Sequence, residues 1–336
     1  MMNQQILLAR RPQGAPVAED FRLVETPIPD PGPGEVLVQH RFISLDPYQR
    51  GRMDDAKSYS APVAIGAVME CQAVGQVAAS GDARFREGDW VLGGFGWQGY
   101  SVRPAKGLIP IDPAEAPPST ALGVLGMPGL TAWVGLEDIG QPKAGEMLVV
   151  SAASGAVGQV VGQLGRIRGA KVVGIAGGPA KCAFVKDMLG FDAAIDHRGD
   201  LDAQLDAACS DGVDVYWENV GGAVQAAVFP RFRDFGRMVM CGMISQYNAT
   251  DLPPGPNWAL LLIKRILVQG FIISDHFDRT GDFIKAVAPA IGGGKLKYRE
   301  DIVKGIENAP KAFIGLLKGE NFGKMLVQVA DDPTRK

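Results

Sequence analysis

The hydrophobic pattern changes character about a third of the way along the chain. Up to residue 126, short apolar runs alternate with polar positions and are broken by glycine and proline. Strands are predicted at residues 21–25, 35–43, 69–77 and 89–92. Pro29-Asp30-Pro31-Gly32-Pro33-Gly34 is a turn that cannot continue a strand. Strands of this length and spacing predict a small barrel or sandwich over residues 1–126, with Trp97 and Tyr100 as packing residues. From residue 127 the pattern alternates strands with helices. Met147-Leu148-Val149-Val150 is an unbroken apolar run, as in a parallel strand covered on both faces. A glycine turn and a helix follow, and Lys171–Ala176 closes a βαβ unit. Helices at 179–189 and 201–209 and strands at 193–197, 213–217, 236–240 and 267–273 continue the alternation. The fold class is therefore α/β, with a doubly wound parallel sheet over residues 127–300. A helix at 311–318 and a strand at 324–329 lie in residues 301–336, which return to complete the first domain.

The candidate chemistry begins at the turn after Val150. Ala153-x-Gly155-Ala156-Val157-Gly158 is a dinucleotide fingerprint with alanine in its first slot. Gly155 lets a pyrophosphate approach the backbone, and Gly158 lets the helix lie close to its strand. With 44 glycines in the chain the pattern alone is weak, and the flanking strand and helix give it weight. An NAD site carries Asp or Glu about 20 residues further on, at the ribose 2′-hydroxyl. Here the place reads Ala176-Gly177-Gly178-Pro179-Ala180-Lys181, which favours NADPH, with Lys181 on the 2′-phosphate; a solvated helix lysine is the alternative. Ligands bind at the carboxyl ends of such strands. Those ends carry Ser154, Lys181, His197, Asn219, Ser245, Tyr247 and Ile272. His197 suits the adenine or the 2′-phosphate, or is a surface histidine. Asn219 suits the nicotinamide ribose or a helix cap, and Asn321 a cofactor-facing loop or a plain turn. Tyr48 and Tyr59 lie in loops, where a phenol offers a polar tip and an apolar ring beside a carbonyl substrate, or is a packing residue, the more frequent role.

Composition narrows the class. A chain of 336 residues suggests two domains. A net charge of -3 gives no reason to expect nucleic acid or an anionic membrane as partner. No apolar run approaches the roughly 20 residues of a membrane span, and the start of the chain does not read as a signal sequence. Cys71, Cys182, Cys209 and Cys241 are scattered, as thiols in a reducing compartment are. A cytoplasmic enzyme is the expectation. His40, His197 and His276 are far apart, and no C-x-x-C occurs, so the ligand sets of catalytic and structural zinc are missing. Alcohol oxidation then lacks its usual means of lowering the hydroxyl pKa.

Several further stretches carry a resemblance. They are Leu45-Asp46-Pro47-Tyr48-x-Arg50, Gly126-Met127-Pro128-Gly129-x-Thr131-Ala132, Glu218-Asn219-Val220-Gly221-Gly222, Cys241-Gly242-x-Ile244-Ser245-x-Tyr247-Asn248, Leu252-Pro253-Pro254-Gly255-Pro256 and Leu316-Leu317-Lys318-Gly319-x-Asn321-x-Gly323-Lys324. With the fingerprint, they resemble the zinc-independent branch of the medium-chain dehydrogenase/reductase superfamily. Within it they are most similar to the NADPH-dependent alkenal/enone reductases, the group of the leukotriene B4 12-hydroxydehydrogenase/prostaglandin reductases and the bacterial curcumin reductases. The resemblance implies a GroES-like β-barrel catalytic domain split around a Rossmann domain, and a homodimer joined through the Rossmann sheet. It implies that Gly155, Ala156, Val157 and Gly158 hold the pyrophosphate and Lys181 the 2′-phosphate. Cys241, Gly242, Ser245, Tyr247, Phe271, Ile272, Ile273, Asn219 and Asn321 would surround the nicotinamide half. Several relatives have a tyrosine where this chain has His197. Zinc relatives carry Gly-His-Glu where Gly66 here has no following histidine. The implied reaction is hydride transfer to the β-carbon of an enone or alkenal. Tyr247, Tyr59 or water would then supply the α-proton, with Tyr48 a further candidate at the carbonyl. An NADPH-dependent quinone reductase and a non-catalytic NADPH-binding protein are the competing readings.

Overall fold

The computed structural model describes residues 2–251 and 253–334; Met1, Leu252 of the proline-rich motif, Arg335 and Lys336 lie outside the described residues. The chain forms two compact units. One holds residues up to 122, 300–321 and from 325 on, and the other holds 123–299 and 322–324.

In the first unit β1 (Met2–Leu8) pairs antiparallel with β2 (Phe21–Pro27). β3 (Glu35–Ser44) is the central strand of a larger sheet and is followed by the one-turn helix α1 (Gln49–Arg52). β4 (Gln72–Ser80) and β6 (Tyr100–Pro104) pair antiparallel with β3; β5 (Trp90–Gly94) pairs with β4, and β7 (Ile109–Ile111) with β5. The strands that the hydrophobic pattern does not announce are short or polar at one end. β1 carries Asn3-Gln4-Gln5 in its first half, and β7 contains Pro110, which suits its edge position. β4 starts three residues later than its apolar run, because Met69 bonds instead to Ile6 and Trp97. Trp97 is fully buried, stacked on Phe21 at 5.7 Å and edge-on to Phe313 at 5.4 Å. His40 is also fully buried, with Nδ1 2.6 Å from the Gln98 carbonyl and Nε2 2.8 Å from Ser101 Oγ. Burial lowers its pKa to about 3, so it is a neutral packing residue.

The second unit opens with α2 (Met127–Gly135) and contains β8 (Met147–Val150), β9 (Lys171–Ala176), β10 (Ala193–Asp196), β11 (Val213–Glu218), β12 (Phe232–Met240) and β13 (Leu267–Gly270). All neighbours are parallel, in the order β10-β9-β8-β11-β12-β13. The chain therefore runs outward one way from β8 to β10 and the other way from β11, so the strand order reverses between β8 and β11. In open α/β sheets that reversal leaves a crevice at the strand ends where ligands bind. The connecting helices are α3 (Gly158–Ile167), α4 (Pro179–Ala183), α5 (Leu201–Ala208), α6 (Gly222–Val228), α7 (Ala259–Lys264) and α8 (Thr280–Gly292). One face of the sheet packs Val150, Val161, Leu164 and Trp217; the other packs Val149, Val173, Tyr216 and Phe229. Burial on both faces explains why these strands read as apolar runs without alternation.

The chain then returns to the first unit. β14 (Glu300–Lys304) and β15 (Lys324–Gln328) extend its sheet, with β15 antiparallel to β3, and α9 (Ala309–Leu317) lies between them in the chain. Ala309, Phe313 and Leu316 form the buried stripe of α9, at helical spacing.

Candidate active site

The turn after β8 has the form that a bound pyrophosphate requires. Ala152 takes a left-handed conformation at φ 47°, and Gly155 N–H donates to its carbonyl at 2.9 Å. The first bond of α3 runs from Gln159 N–H to the Gly155 carbonyl, so the N–H groups of Ala156, Val157 and Gly158 precede the helical ladder. A Cβ at Gly158 would lie 2.3 Å from the Ala152 carbonyl oxygen and 2.8 Å from Ala153 Cα, so only glycine allows α3 this close to β8. A Cβ at Gly155 would meet a single atom within 4 Å, the Ala152 oxygen at 3.1 Å. That open backbone, beside a helix N-terminus, fits the dinucleotide. Gly323 forms a bridge to Gly155, and Phe322 before it packs edge-on to Phe184 at 5.0 Å, with Arg299 over its ring at 4.0 Å. Asn321 immediately precedes this pair.

The end of β9 forms a second cradle. Gly178 has φ 90°. A Cβ at Gly177 would come within 2.8 Å of His197 Nε2 and 3.5 Å of Arg198 Nε and Nη2; one at Gly178 would come within 3.0 Å of Arg198 Nη1. The His197 ring and the Arg198 guanidinium thus lie over the Gly177-Gly178 turn, and Lys181 stands in the first turn of α4. Asp196 Oδ1 accepts from the N–H groups of Gly178 at 2.9 Å and Arg198 at 3.0 Å. These bonds hold its carboxyl below the usual carboxylate range and use it to fix the turn. Arg198 was not singled out in the sequence. Its signal is geometric: a cation one residue beyond His197, brought over two glycines by the return of β10 beside β9. Lys186 is exposed, further along the same helical segment.

At the crossover between β8 and β11 lies a buried polar network. Glu218 is fully buried and accepts from Ser151 Oγ at 2.9 Å, Tyr216 Oη at 2.9 Å and Val220 N–H at 2.6 Å. Burial raises its carboxyl above the ordinary range. The Asn219 amide donates to the Ser151 carbonyl at 2.7 Å, and its Oδ1 accepts from Trp217 Nε1 at 3.1 Å. Asn219 therefore ties the ends of the two strands together, while Gly221 occupies the N-cap of α6. The next turn rests on this loop. Ile244 N–H donates to the Asn219 carbonyl at 3.1 Å, and both Ser245 N–H, at 3.0 Å, and Ser245 Oγ, at 2.6 Å, donate to the Val220 carbonyl. Tyr247 folds back over it. Its Oη accepts from Met243 N–H at 3.3 Å and would stand 3.0 Å from a Cβ at Gly242. Burial pushes the Cys241 thiol up to about 12, so it is no nucleophile. Phe271 packs edge-on to Trp217 at 6.1 Å, and Ile272 and Ile273 follow it beyond β13.

In the first unit Tyr48 is the N-cap residue of α1. Tyr48 and Tyr59 both lie against the guanidinium of Arg52, at 5.6 Å and 4.8 Å. Burial raises the pKa of both phenols, so both remain proton donors at neutral pH. Among the described residues no group of three or more His, Cys, Asp or Glu side chains is placed to hold a metal ion.

Two family models match the chain. One describes an N-terminal domain of oxidoreductase and covers residues 4–111; the other describes a zinc-binding dehydrogenase and covers residues 156–289. An NADPH-dependent curcumin reductase of Escherichia coli is 50% identical over 98% of both chains. A 2-alkenal reductase (NADP(+)-dependent) of Nicotiana tabacum is 39% identical over 98% of both. The crystal structure of CurA from Vibrio vulnificus in complex with NADPH superposes with a TM-score of 0.94 at 53% identity, covering 98% of this chain and 100% of that one. On its six-stranded parallel sheet, its fingerprint turn and these relatives, the chain belongs to the zinc-independent NADPH-dependent reductases of the medium-chain dehydrogenase/reductase superfamily.

Proposed function

We propose that this chain reduces the C=C bond of α,β-unsaturated ketones and aldehydes with NADPH. The observation that carries the reading is the turn that holds Tyr247, braced on the Glu218–Asn219 network at the crossover of a Rossmann sheet. Ligands bind beyond the strand ends of such a sheet, where this phenol would stand beside the nicotinamide. Gly155 to Gly158 would hold the pyrophosphate, and Lys181, His197 and Arg198 the 2′-phosphate. Asn219, Cys241, Gly242, Ser245, Phe271, Ile272, Ile273 and Asn321 would surround the nicotinamide half. The bound cofactor supplies a hydride to the substrate β-carbon. Negative charge then gathers on the substrate carbonyl oxygen, where hydrogen-bond donors lower the barrier. Tyr48 and Tyr59 would be candidates for such donors. Tyr247 delivers a proton to the α-carbon, completing addition of one hydride and one proton.

Tyr247→Phe keeps the ring and removes the proton. It is expected to lower kcat on an enone roughly 10- to 100-fold, with the KM for NADPH little changed. Wild-type kcat in steady-state assays would take Tyr247 out of the proton path.

A homodimer through the Rossmann sheet belongs to the same reading. β13 is the edge strand. Near it in sequence Leu262 is 83% exposed, and Trp258, Ile263 and Leu267 are also exposed. An apolar row beside an unpaired strand edge suits a second copy of the sheet. Sedimentation at micromolar concentration should give twice the chain mass, and a monomer would remove this part. The four free cysteines suit a cytoplasmic location, which cell fractionation would check.

A further inference from the structure

The two tyrosines of the first unit share one cation. Arg52 is 7% exposed, and its Nε lies 2.5 Å from Glu70 Oε1. Its Cζ faces the Tyr48 ring at 5.6 Å and the Tyr59 ring at 4.8 Å. The chain between Arg52 and Val63 is closed at its base. Val63 N–H donates to the Arg52 carbonyl at 2.8 Å, and Arg11 Nη1 donates to the carbonyls of Met53 at 2.9 Å and Val63 at 2.7 Å. Residues 53–63 thus form a pinned loop that carries Tyr59, 58% exposed. Tyr48 is fixed differently. Its backbone lies in a turn where Gln49 N–H donates to the Asp46 carbonyl and Arg50 N–H to the Pro47 carbonyl, and buried Arg50 ties that turn to Asp54 and to the Gly14 carbonyl.

A guanidinium spreads its charge over a planar group that can face two rings with a carboxylate beside it, whereas an ammonium is a compact point charge. Glu70 also offsets the charge, so the arrangement presents ordered rings and no strong anion trap.

We propose that Arg52 is a positioning residue that holds the Tyr48 and Tyr59 rings on one guanidinium and so fixes the aromatic wall on which the substrate lies. This rests on the enone-reductase reading for its substrate and on the first unit alone for its geometry. Aryl enones, which stack a ring, depend on the wall more than short alkenals do.

Arg52→Met keeps side-chain bulk and removes the charge and the plane. It is expected to raise the KM for an aryl enone roughly 5- to 30-fold, more than for a short alkenal, and to leave the KM for NADPH unchanged. Arg52→Lys should recover only part of the loss. In a double-mutant cycle, Arg52→Met should add little once Tyr59→Leu is present; additive effects would overturn the proposal. Trypsin provides a readout independent of activity. Lys57 lies exposed in the loop, and cleavage there should be several-fold faster in Arg52→Met than in the wild type. If Arg52→Met does not fold, Glu70→Gln at a 42% exposed side chain takes its place: it frees the guanidinium from its carboxylate and should raise the aryl-enone KM and the cleavage rate in the same direction, by less. If the wild type reduces no enone, the functional reading fails and the trypsin result alone decides: faster cleavage supports the role of Arg52, and unchanged cleavage overturns it.

Discussion

Gly158→Ala is expected to abolish useful NADPH binding and to lower the melting temperature. The added Cβ would sit 2.3 Å from the Ala152 oxygen and 2.8 Å from Ala153 Cα, both backbone atoms that cannot rotate away. α3 must therefore move off β8, at about 1–3 kcal/mol or more for overpacking. The three leading amides of the helix move with it. Charge-assisted hydrogen bonds are each worth about 1.5–3 kcal/mol, so losing two of them weakens NADPH roughly 100-fold or more. Gly155→Ala gives the contrast. Its Cβ touches one atom at 3.1 Å, so the fold should hold while the methyl fills space the pyrophosphate needs. Fluorescence titration of NADPH with thermal unfolding separates the two. Unaltered affinity in both variants would remove the fingerprint turn from the cofactor site.

The second large effect is expected at the end of β9. Lys181→Ala with Arg198→Ala should weaken NADPH by roughly 10²–10⁴-fold, taking about 1.5–3 kcal/mol for each lost charge-assisted contact. NADH, which has no 2′-phosphate, should bind as before, so the ratio of the two affinities is the diagnostic. Arg198→Ala alone should produce part of the shift, because the guanidinium lies over the Gly177-Gly178 turn. Equal weakening of both cofactors would mean that the pair shapes the turn without recognising the phosphate.

The second unit could be read from the sequence because its physics is written locally. Strands buried on both faces are apolar throughout, and a strand meeting a helix this closely demands glycine at one position, Gly158. The first unit was only half legible. β1 and β7 are a strand with a polar first half and a three-residue edge strand, and each pairs across an irregular connection, Leu8 with Phe21 and Leu92 with Ile109, that carries no hairpin-turn signature. The same distinction governs the site. Lys181 and Tyr247 follow strand ends at predictable offsets. Arg198 matters because β10 returns beside β9, and Arg52 because a loop folds Tyr59 back onto it; neither relation has a local signature. Glu218 and Asn219 stood in a recognisable stretch, yet their partner Ser151 is 67 and 68 residues away. Only the sheet order joins them.

The most direct check of the reaction is the product formed from NADPH and an aryl enone, with deuterium carried on the nicotinamide C4. Reduction of the C=C bond gives the saturated ketone, one for each NADPH oxidised, with deuterium on the β-carbon and a solvent-derived proton on the α-carbon. An allylic alcohol with deuterium on the carbonyl carbon, or NADPH left unoxidised by enones and oxidised by quinones, would contradict it.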